Sequence, residues 1–299
     1  MRILHLSDTH LARTDDAEPD DPEGPGGIDG TAALRRLLAE LTHLRDLDAV
    51  VATGDIADDG SREAYARARD LLRSYAHERG AEVYFTPGNH DERAAFADVL
   101  GSGHPRPEAV HAGDGGQLAA MSTVAGRRLI TLDTVVPGKG YGRLDRGQLD
   151  WLRGLLATPS PSGGGTVLAF HHPPVAMDVA MQRALALQNA GELGEAIRGT
   201  DVELILCGHF HLQIHARLEQ ATVWVTPGVY SRMDLTARPG TERALHGPSA
   251  SLIHLGGPHG PLIHTLHARD PRMGSVRYEN DETQVREIIE KLGAEPRPR

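Results

Sequence analysis

The chain has 299 residues, 39% of them hydrophobic and 24% charged, with a formal net charge of −10 and one cysteine, Cys207. That length allows a large buried core, and no apolar run approaches the roughly 18 residues of a membrane span. The acidic balance disfavours a grip on extended nucleic acid or on an anionic membrane. A single cysteine excludes an internal disulfide framework. The N-terminal "MRILHLSDTHLAR" lacks the long apolar region and cleavage site of a signal peptide, so a cytoplasmic protein is expected.

In chain order, "RILHLS" (residues 2–7) predicts a short apolar strand. Residues 14–27, "TDDAEPDDPEGPGG", read as a solvated acidic loop. Leu34, Leu37, Leu38, Leu41 and Leu44 follow helical spacing, with Asp29 or Thr31 as the N-cap. "DAVVATG" is the next buried strand, and Ser61 is expected to cap a helix with Tyr65, Ala68, Leu72 and Tyr75 on one face. "EVYFTPG" completes a β-α-β-α-β series, which implies parallel strands with helices outside.

From residue 110 to 133 short strands alternate with Gly-rich turns, and then "GQLDWLRGLLA" predicts a helix and "TVLAF" a buried strand. One helix is expected over residues 179–197, followed by the strand "VELILCG". Hairpins are expected over residues 214–235 and 249–267, and a helix over 281–292. The clusters "GPGG" and "GDGG" match no dinucleotide fingerprint, and a Walker A loop is absent from the sequence.

Each buried strand is followed by Asp, Asn or His. "SDTH" supplies Asp8 and His10, "GDIAD" Asp55, "PGNHDE" Asn89 and His90, "HHPP" His171 and His172, and "GHFH" His209 and His211. Taken singly, each fits a turn or a helix cap. Five in series point to a site, because ligands bind outside the carboxyl ends of strands in open α/β sheets. The donors are nitrogen and oxygen without thiolate, which suits Mn, Fe or Zn better than Ca. There are more donors than one ion needs, so a carboxylate shared by two ions is natural. At i and i+2 of an extended segment, His209 and His211 would point to one side and reach both.

With these residues in place, the chain resembles the calcineurin-like metallophosphoesterases. The motifs D-x-H, G-D, G-N-H-D, H-H-P-P and G-H-x-H stand in that family's order over residues 8–211. "TLDTVVPGKGYGRLDRGQLDWL" and "RGTDVELILCGHFH" are similar to its bacterial class III cyclic-nucleotide phosphodiesterases and their glycerophosphodiesterase relatives. The resemblance implies a four-layer α/β sandwich of two mixed sheets flanked by helices, one domain over residues 1–299. Residues 1–235 would carry the site, and residues 236–299 would complete or cap the sandwich.

The resemblance also implies two divalent or mixed-valence metal ions (Mn, Fe or Zn). One would take Asp8, His10 and His211, the other Asn89, His171 and His209, with Asp55 bridging. His90 would face the phosphoryl group, His172 would be structural, and Asp91 would orient His90 or cap the following helix. Tyr230 and Arg232, in "TPGVYSRMDL", would contact the leaving group. The implied reaction is hydrolysis of small phosphodiesters, 3',5'-cyclic nucleotides first, by in-line attack of hydroxide formed at the metals. Phosphomonoester hydrolysis and a non-catalytic metal-binding role are the alternatives. A homodimer is implied by the assembly of relatives.

Cys207 reads as a buried, inert thiol. His254, His259, His264 and His267 read as polar alternation on a half-exposed hairpin rather than as a further metal site. The acidic residues 14–27 follow His10 closely and are expected to overhang the site, opposing a long polyanion. Trimming that segment should change substrate choice or KM more than metal content. Intact kinetics on every substrate after the deletion would refute this assignment.

Overall fold

A computed structural model of the chain describes residues 1–13 and 30–295. The acidic segment 14–27 and Asp29 lie outside the described residues, while Thr31 stands inside the first turn of its helix. The chain begins with β1 (Arg2–Leu6), α1 (Gly30–Glu40), β2 (Ala49–Thr53), α2 (Arg62–His77), β3 (Glu82–Thr86) and α3 (Arg93–Leu100). It continues through β4 (Ala109–Ala112), β5 (Leu118–Val124), β6 (Arg127–Thr131), α4 (Arg146–Leu156), β7 (Thr166–Ala169), α5 (Ala180–Leu185), α6 (Ala190–Ile197) and β8 (Val202–Cys207). It ends with β9 (Ile214–Leu218), β10 (Ala221–Val225), β11 (Arg232–Met233), β12 (Glu242–Leu245), β13 (Ser249–His254), β14 (Leu262–His267), β15 (Val276–Asn280) and α7 (Glu282–Leu292).

The strands form one sheet in the order β14-β13-β1-β2-β3, a second in the order β4-β5-β6-β7-β8-β10-β9, and a small third, β11-β12-β15. Both large sheets are mixed. Strands β1, β2 and β3 run parallel, as do β6, β7, β8 and β10, and the flanking strands are antiparallel. Successive side chains of a strand point to opposite faces, so each central strand serves two cores. Val51 and Ile3 of the first sheet share a core with Val167, Leu204, Leu206 and Trp224 of the second. On the outer faces, Val50 and Ala52 pack with Leu34, Leu37, Tyr65 and Leu72 of α1 and α2. Leu168 and Ile205 pack with Leu149, Leu152 and Leu193 of α4 and α6. The layers therefore run helix, sheet, sheet, helix. Each such Leu, Ile or Val contributes about 1.5–3 kcal/mol by leaving water.

Local signals account for most element ends. Ser61 caps α2 by accepting from Ala64 N at 3.3 Å, and Asp281 with Gln284 forms a capping box on α7. Two expectations are corrected. The single helix over residues 179–197 is two, because Ala186 is extended, Leu187 N donates to Pro173 O, and Ala186, Gln188 and Asn189 bond to the 142–144 loop instead. Asn189 Oδ1 accepts from Leu144 N at 3.0 Å and its Nδ2 donates to Leu144 O at 2.9 Å. The segment 214–235 contains the β9–β10 hairpin, but β11 leaves it to pair with β12. The histidine-rich segment forms the antiparallel β13–β14 pair, with His267 Nδ1 2.8 Å from Ser249 Oγ.

His104 is buried, with its ring nitrogens 2.8 Å from Ser122 Oγ and 2.9 Å from Thr131 Oγ1. Burial pushes its pKa from 6.5 down to about 4. Below pH 6.5 the unfolded chain takes a proton here that the folded chain refuses until about pH 4, so stability falls as pH falls through that window. His104 alone should remove about 3 kcal/mol across it. Urea titrations should therefore show a steeper acid loss for wild type than for His104→Gln. Equal acid slopes would count against this account.

Candidate metal centre

Five strands of the two large sheets end at one edge of the sandwich. Asp8 and His10 follow β1, Asp55 follows β2, Asn89 and His90 follow β3, His171 follows β7, and His209 and His211 follow β8. The chain turns sharply at these points. Asp8, His10, Asp55, His209 and His211 have φ of 57°, 46°, 48°, 71° and 50°, in the left-handed region. Such backbone costs of order 1–3 kcal/mol per residue, least for Asp and His, whose side chains tolerate it best. Hydrogen bonds between the loops hold it: Asp8 N to Gly54 O at 3.1 Å, His10 N to Asp55 O at 3.0 Å and Gly208 N to His171 O at 3.1 Å. The extended geometry expected for His209 and His211 is thus corrected, and their rings diverge. His211 turns towards Asp8 and His10, and His209 towards His171 and His172.

Two motif glycines owe their identity to close approach. A Cβ at Gly88 would lie 2.3 Å from both Asp55 N and Asp55 Oδ1. One at Gly208 would lie 1.7 Å from Ser7 Oγ and 2.7 Å from Asp8 Oδ2.

The hydrogen bonds of the imidazoles fix which nitrogens face inward. His171 Nδ1–H donates to Thr53 O at 2.7 Å, His209 Nε2–H to Leu185 O at 3.0 Å, and His10 Nδ1–H to Asp58 Oδ1 at 3.0 Å. Each of those partners is an acceptor only; burial lowers the pKa of His10 and His209, so their other nitrogens are lone pairs, whereas Asp55 and Asp8 push His171 up to about 9 against burial. His171 Nε2 then lies 3.2 Å from Asp55 Oδ2 and 3.2 Å from Asn89 Oδ1. The Nε2 atoms of His10 and His211 face one another beside the carboxylates. His10 Nε2 lies 3.3 Å from His211 Nε2 and 3.8 Å from Asp55 Oδ2, and His211 Nε2 lies 3.4 Å from Asp8 Oδ1. Burial alone would raise the pKa of Asp8, but His211 and His171 outweigh it and bring it to about 2. Asp55 is likewise held well below the usual carboxylate range, against burial, chiefly by His171 and His90. Two buried carboxylates that hold His171 protonated call for positive charge between them, which a cation could supply in place of that proton.

Within this cluster, Asp8, His10 and His211 form one group, Asp8, Asp55 and His171 a second, His10, Asp55 and His90 a third, and His171, His172 and His209 a fourth. In each group one donor atom per residue lies within 4.8 Å of the others. His172 Nδ1 is 2.8 Å from Thr134 Oγ1. Asp91 departs from both expected roles. Its carboxylate accepts from Gly88 N at 2.7 Å, Ala57 N at 3.0 Å and Ile56 N at 3.2 Å, tying the β2 and β3 loops together, while Glu92 caps α3. The residue that holds His90 is Asp58, whose Oδ1 lies 3.1 Å from His90 Nδ1 and also takes His10 Nδ1. The sequence reading missed it. Its only signal was the second of three carboxylates in "GDIADD".

A cavity of about 430 Å³ opens over the cluster, lined by His10, Asp55, Asn89, His90, His209 and His211. Met181, Leu185, Phe210, Met233, Ile288 and Leu292 give it an apolar wall. Tyr230 lines it too, its ring 5.2 Å from that of His10 and covered by the Arg277 guanidinium at 3.5 Å. Arg232 is placed elsewhere: its guanidinium packs against Gly247, and it is not part of the lining. Cys207 is buried, and burial raises its thiol pKa well above the ordinary value.

A helix-flanked double sheet with Asp, Asn and His gathered at its strand ends defines a metal-dependent hydrolase scaffold. The chain belongs to the calcineurin-like phosphoesterases, whose family pattern matches residues 1–213. It is similar to a cAMP/cGMP dual specificity phosphodiesterase of Mycobacterium tuberculosis, 37% identical over 256 residues, 85% of this chain and 75% of that one. A glycerophosphodiester phosphodiesterase of Enterobacter lignolyticus is 29% identical over 231 residues, 76% of this chain and 77% of that one. A solved dimetal phosphatase from Danio rerio has a TM-score of 0.58 at 16% identity, covering 90% of this chain and 99% of that one, which supports the sandwich fold. Among the described residues no helix is long and apolar enough to cross a membrane. Proteins of this family use divalent metals, and the gathered nitrogen and oxygen donors fit such ions.

Gly208→Ala should displace Asp8 and lower bound metal and turnover together. The loss of turnover should be about a hundredfold, the scale of a ~1 Å misplacement at a reacting centre. Metal analysis of the purified variant beside its activity checks this. Full metal content with full turnover would show that the close approach is not required.

Proposed function

We propose that the protein is a dinuclear metal-dependent phosphodiesterase acting on small diesters, with 3',5'-cyclic nucleotides as its substrate class. The observation that carries this reading is the position of Asp55. Its Oδ2 lies 3.2 Å from His171 Nε2 and 3.8 Å from His10 Nε2, between two sets of donors. Asp8, His10 and His211 would hold one ion, Asn89, His171 and His209 the other, and Asp55 both. A nitrogen-rich set of this kind suits Mn, Fe or Zn. Bound there, the ions would supply Lewis acidity, lowering the pKa of water and offsetting phosphoryl charge.

The remaining work falls to side chains of this protein. His90 directs Nδ1–H at Asp58 Oδ1, 3.1 Å away, which leaves Nε2 for the cavity. Partial burial would lower its pKa, but the Asp55 and Asp58 carboxylates push it up to about 10. Asp58 keeps the proton on Nδ1, so Nε2 faces the cavity, where the ring in its protonated form would donate to a phosphoryl oxygen or to the departing alkoxide. The apolar wall covers the organic part of the ester and limits water around it. The activity named for the M. tuberculosis relative supports cyclic nucleotides, and that of the E. lignolyticus relative supports small diesters generally.

The test reloads apo-protein with Mn²⁺ and compares bis(p-nitrophenyl) phosphate with p-nitrophenyl phosphate. The diester should be cleaved faster, and Asp55→Ala should lose about two to three orders of magnitude, as when a charge-stabilising group is removed. His90→Asn should lose about 10²–10⁴-fold in kcat. A monoester preference would make the protein a phosphatase. Absence of metal-dependent turnover of either ester would remove the hydrolase reading.

A further inference from the structure

The cavity over the metal centre has a second, polar wall, supplied by the small sheet β11-β12-β15. Glu242, Tyr278 and Asn280 line it. Glu242 and Asn280 are register partners across β12 and β15. Asn280 Nδ2 donates to Glu242 Oε2 at 2.8 Å. That bond orients both side chains: one N–H of the amide is engaged by the carboxylate, and the second N–H and the amide oxygen are left. Neither Glu242 Oε1 nor Asn280 Oδ1 accepts a hydrogen bond among the described residues. Glu242 has no ion pair there either. The nearby cation, Arg277, lies over the Tyr230 ring at 3.5 Å and has Nη1 3.1 Å from His246 Nδ1.

Burial pushes the pKa of Glu242 up, against the Asn280 bond and His211, so its carboxylate beside a phosphate anion is electrostatically adverse unless the ligand brings a donor to it. Two acceptor oxygens side by side, one of them on a carboxylate, favour a donor-bearing ligand, and Asn280 keeps its second N–H beside them. We infer that Glu242 and Asn280 form a subsite that accepts hydrogen bonds from a hydroxyl or amino group on the alcohol portion of the substrate and rejects a second anionic group there. The inference rests on the diesterase reading and narrows its substrates to uncharged, donor-bearing alcohols such as nucleosides. In a cyclic nucleotide a ribose hydroxyl and a base amino group both carry that chemistry.

The experiment measures binding by calorimetry to metal-loaded wild type, Glu242→Ala and the shape-keeping Glu242→Gln. The ligands are 3',5'-cAMP, 2'-deoxy-3',5'-cAMP and purine riboside 3',5'-cyclic monophosphate, which lacks the amino group. Wild type should prefer cAMP about tenfold over one analogue, the range of a hydrogen bond to a charged group. Glu242→Ala should bring that pair to within about twofold. The analogue that shows the effect identifies the source of the donor. Adenosine 3',5'-bisphosphate, which carries a second phosphate, should bind Glu242→Gln about tenfold more tightly than wild type. The same cAMP preference in wild type and Glu242→Ala, or none in wild type, would overturn the subsite. An unchanged bisphosphate affinity would overturn the charge rejection. Bis(p-nitrophenyl) phosphate carries no donor, so its hydrolysis by wild type tests the diesterase reading separately. Hydrolysis without analogue discrimination sinks the subsite alone, and discrimination without hydrolysis sinks the diesterase alone.

Discussion

Asp8 and Asp55 hold negative charge while almost wholly buried, and the edge of the sandwich is arranged around that constraint. Backbone N–H groups meet part of it: His90 N donates to Asp55 Oδ1 at 2.9 Å and His209 N to Asp8 Oδ2 at 3.0 Å. The loops that carry both carboxylates and the His209 donor pass through left-handed residues at Asp8, Asp55 and His209. The strain and the charge are therefore one design, each giving the other its reason. What the N–H groups leave unmet is met by imidazoles, and by the cations those imidazoles are oriented to receive.

The orientation of the imidazoles reaches far into the fold. His171 is set by the Thr53 carbonyl, which also accepts from Ser7 Oγ at 2.7 Å, so one carbonyl at the end of β2 braces the loops after β1 and β7. His209 is set by the Leu185 carbonyl. That carbonyl belongs to the last turn of α5, where the helix stops and its carbonyls lack intrahelical partners. The break between α5 and α6, enforced by the Asn189–Leu144 bonds, thus serves the site. The same α5 lines the cavity beside α7, and Ala294 N donates to Ala184 O at 3.0 Å to hold the chain end against it.

Much of the site was legible in the residues. Asp, Asn and His at the ends of apolar runs gave their own positions, because strand ends and helix caps are marked by short-range patterns. The glycines of "GDIAD", "PGNHDE" and "GHFH" stood in the same words, and the packing around Gly88 and Gly208 explains why. The residues missed were those that act through others. Asp58 orients His10 across 48 positions of chain, and Asp91 reads as a cap until its three backbone donors are seen. Arg232 is adjacent in sequence to Ser231, which holds His211 Nδ1 at 2.7 Å, yet β11 carries its own side chain away to Gly247.

By itself the sequence determined the elements whose pattern is local: the parallel β-α-β series, the cap at Ser61, and the chemical type of the donors. The second sheet was implied by family resemblance rather than by periodicity, since an apolar strand reads the same whether one core or two lie against it. Tertiary structure alone decided which nitrogen of each histidine faces inward, where the helix over residues 179–197 breaks, and that β12 and β15 bring Glu242 and Asn280 to the cavity. Those outcomes depend on hydrogen-bond partners tens to hundreds of positions apart, and no local period or propensity records a partner at that distance.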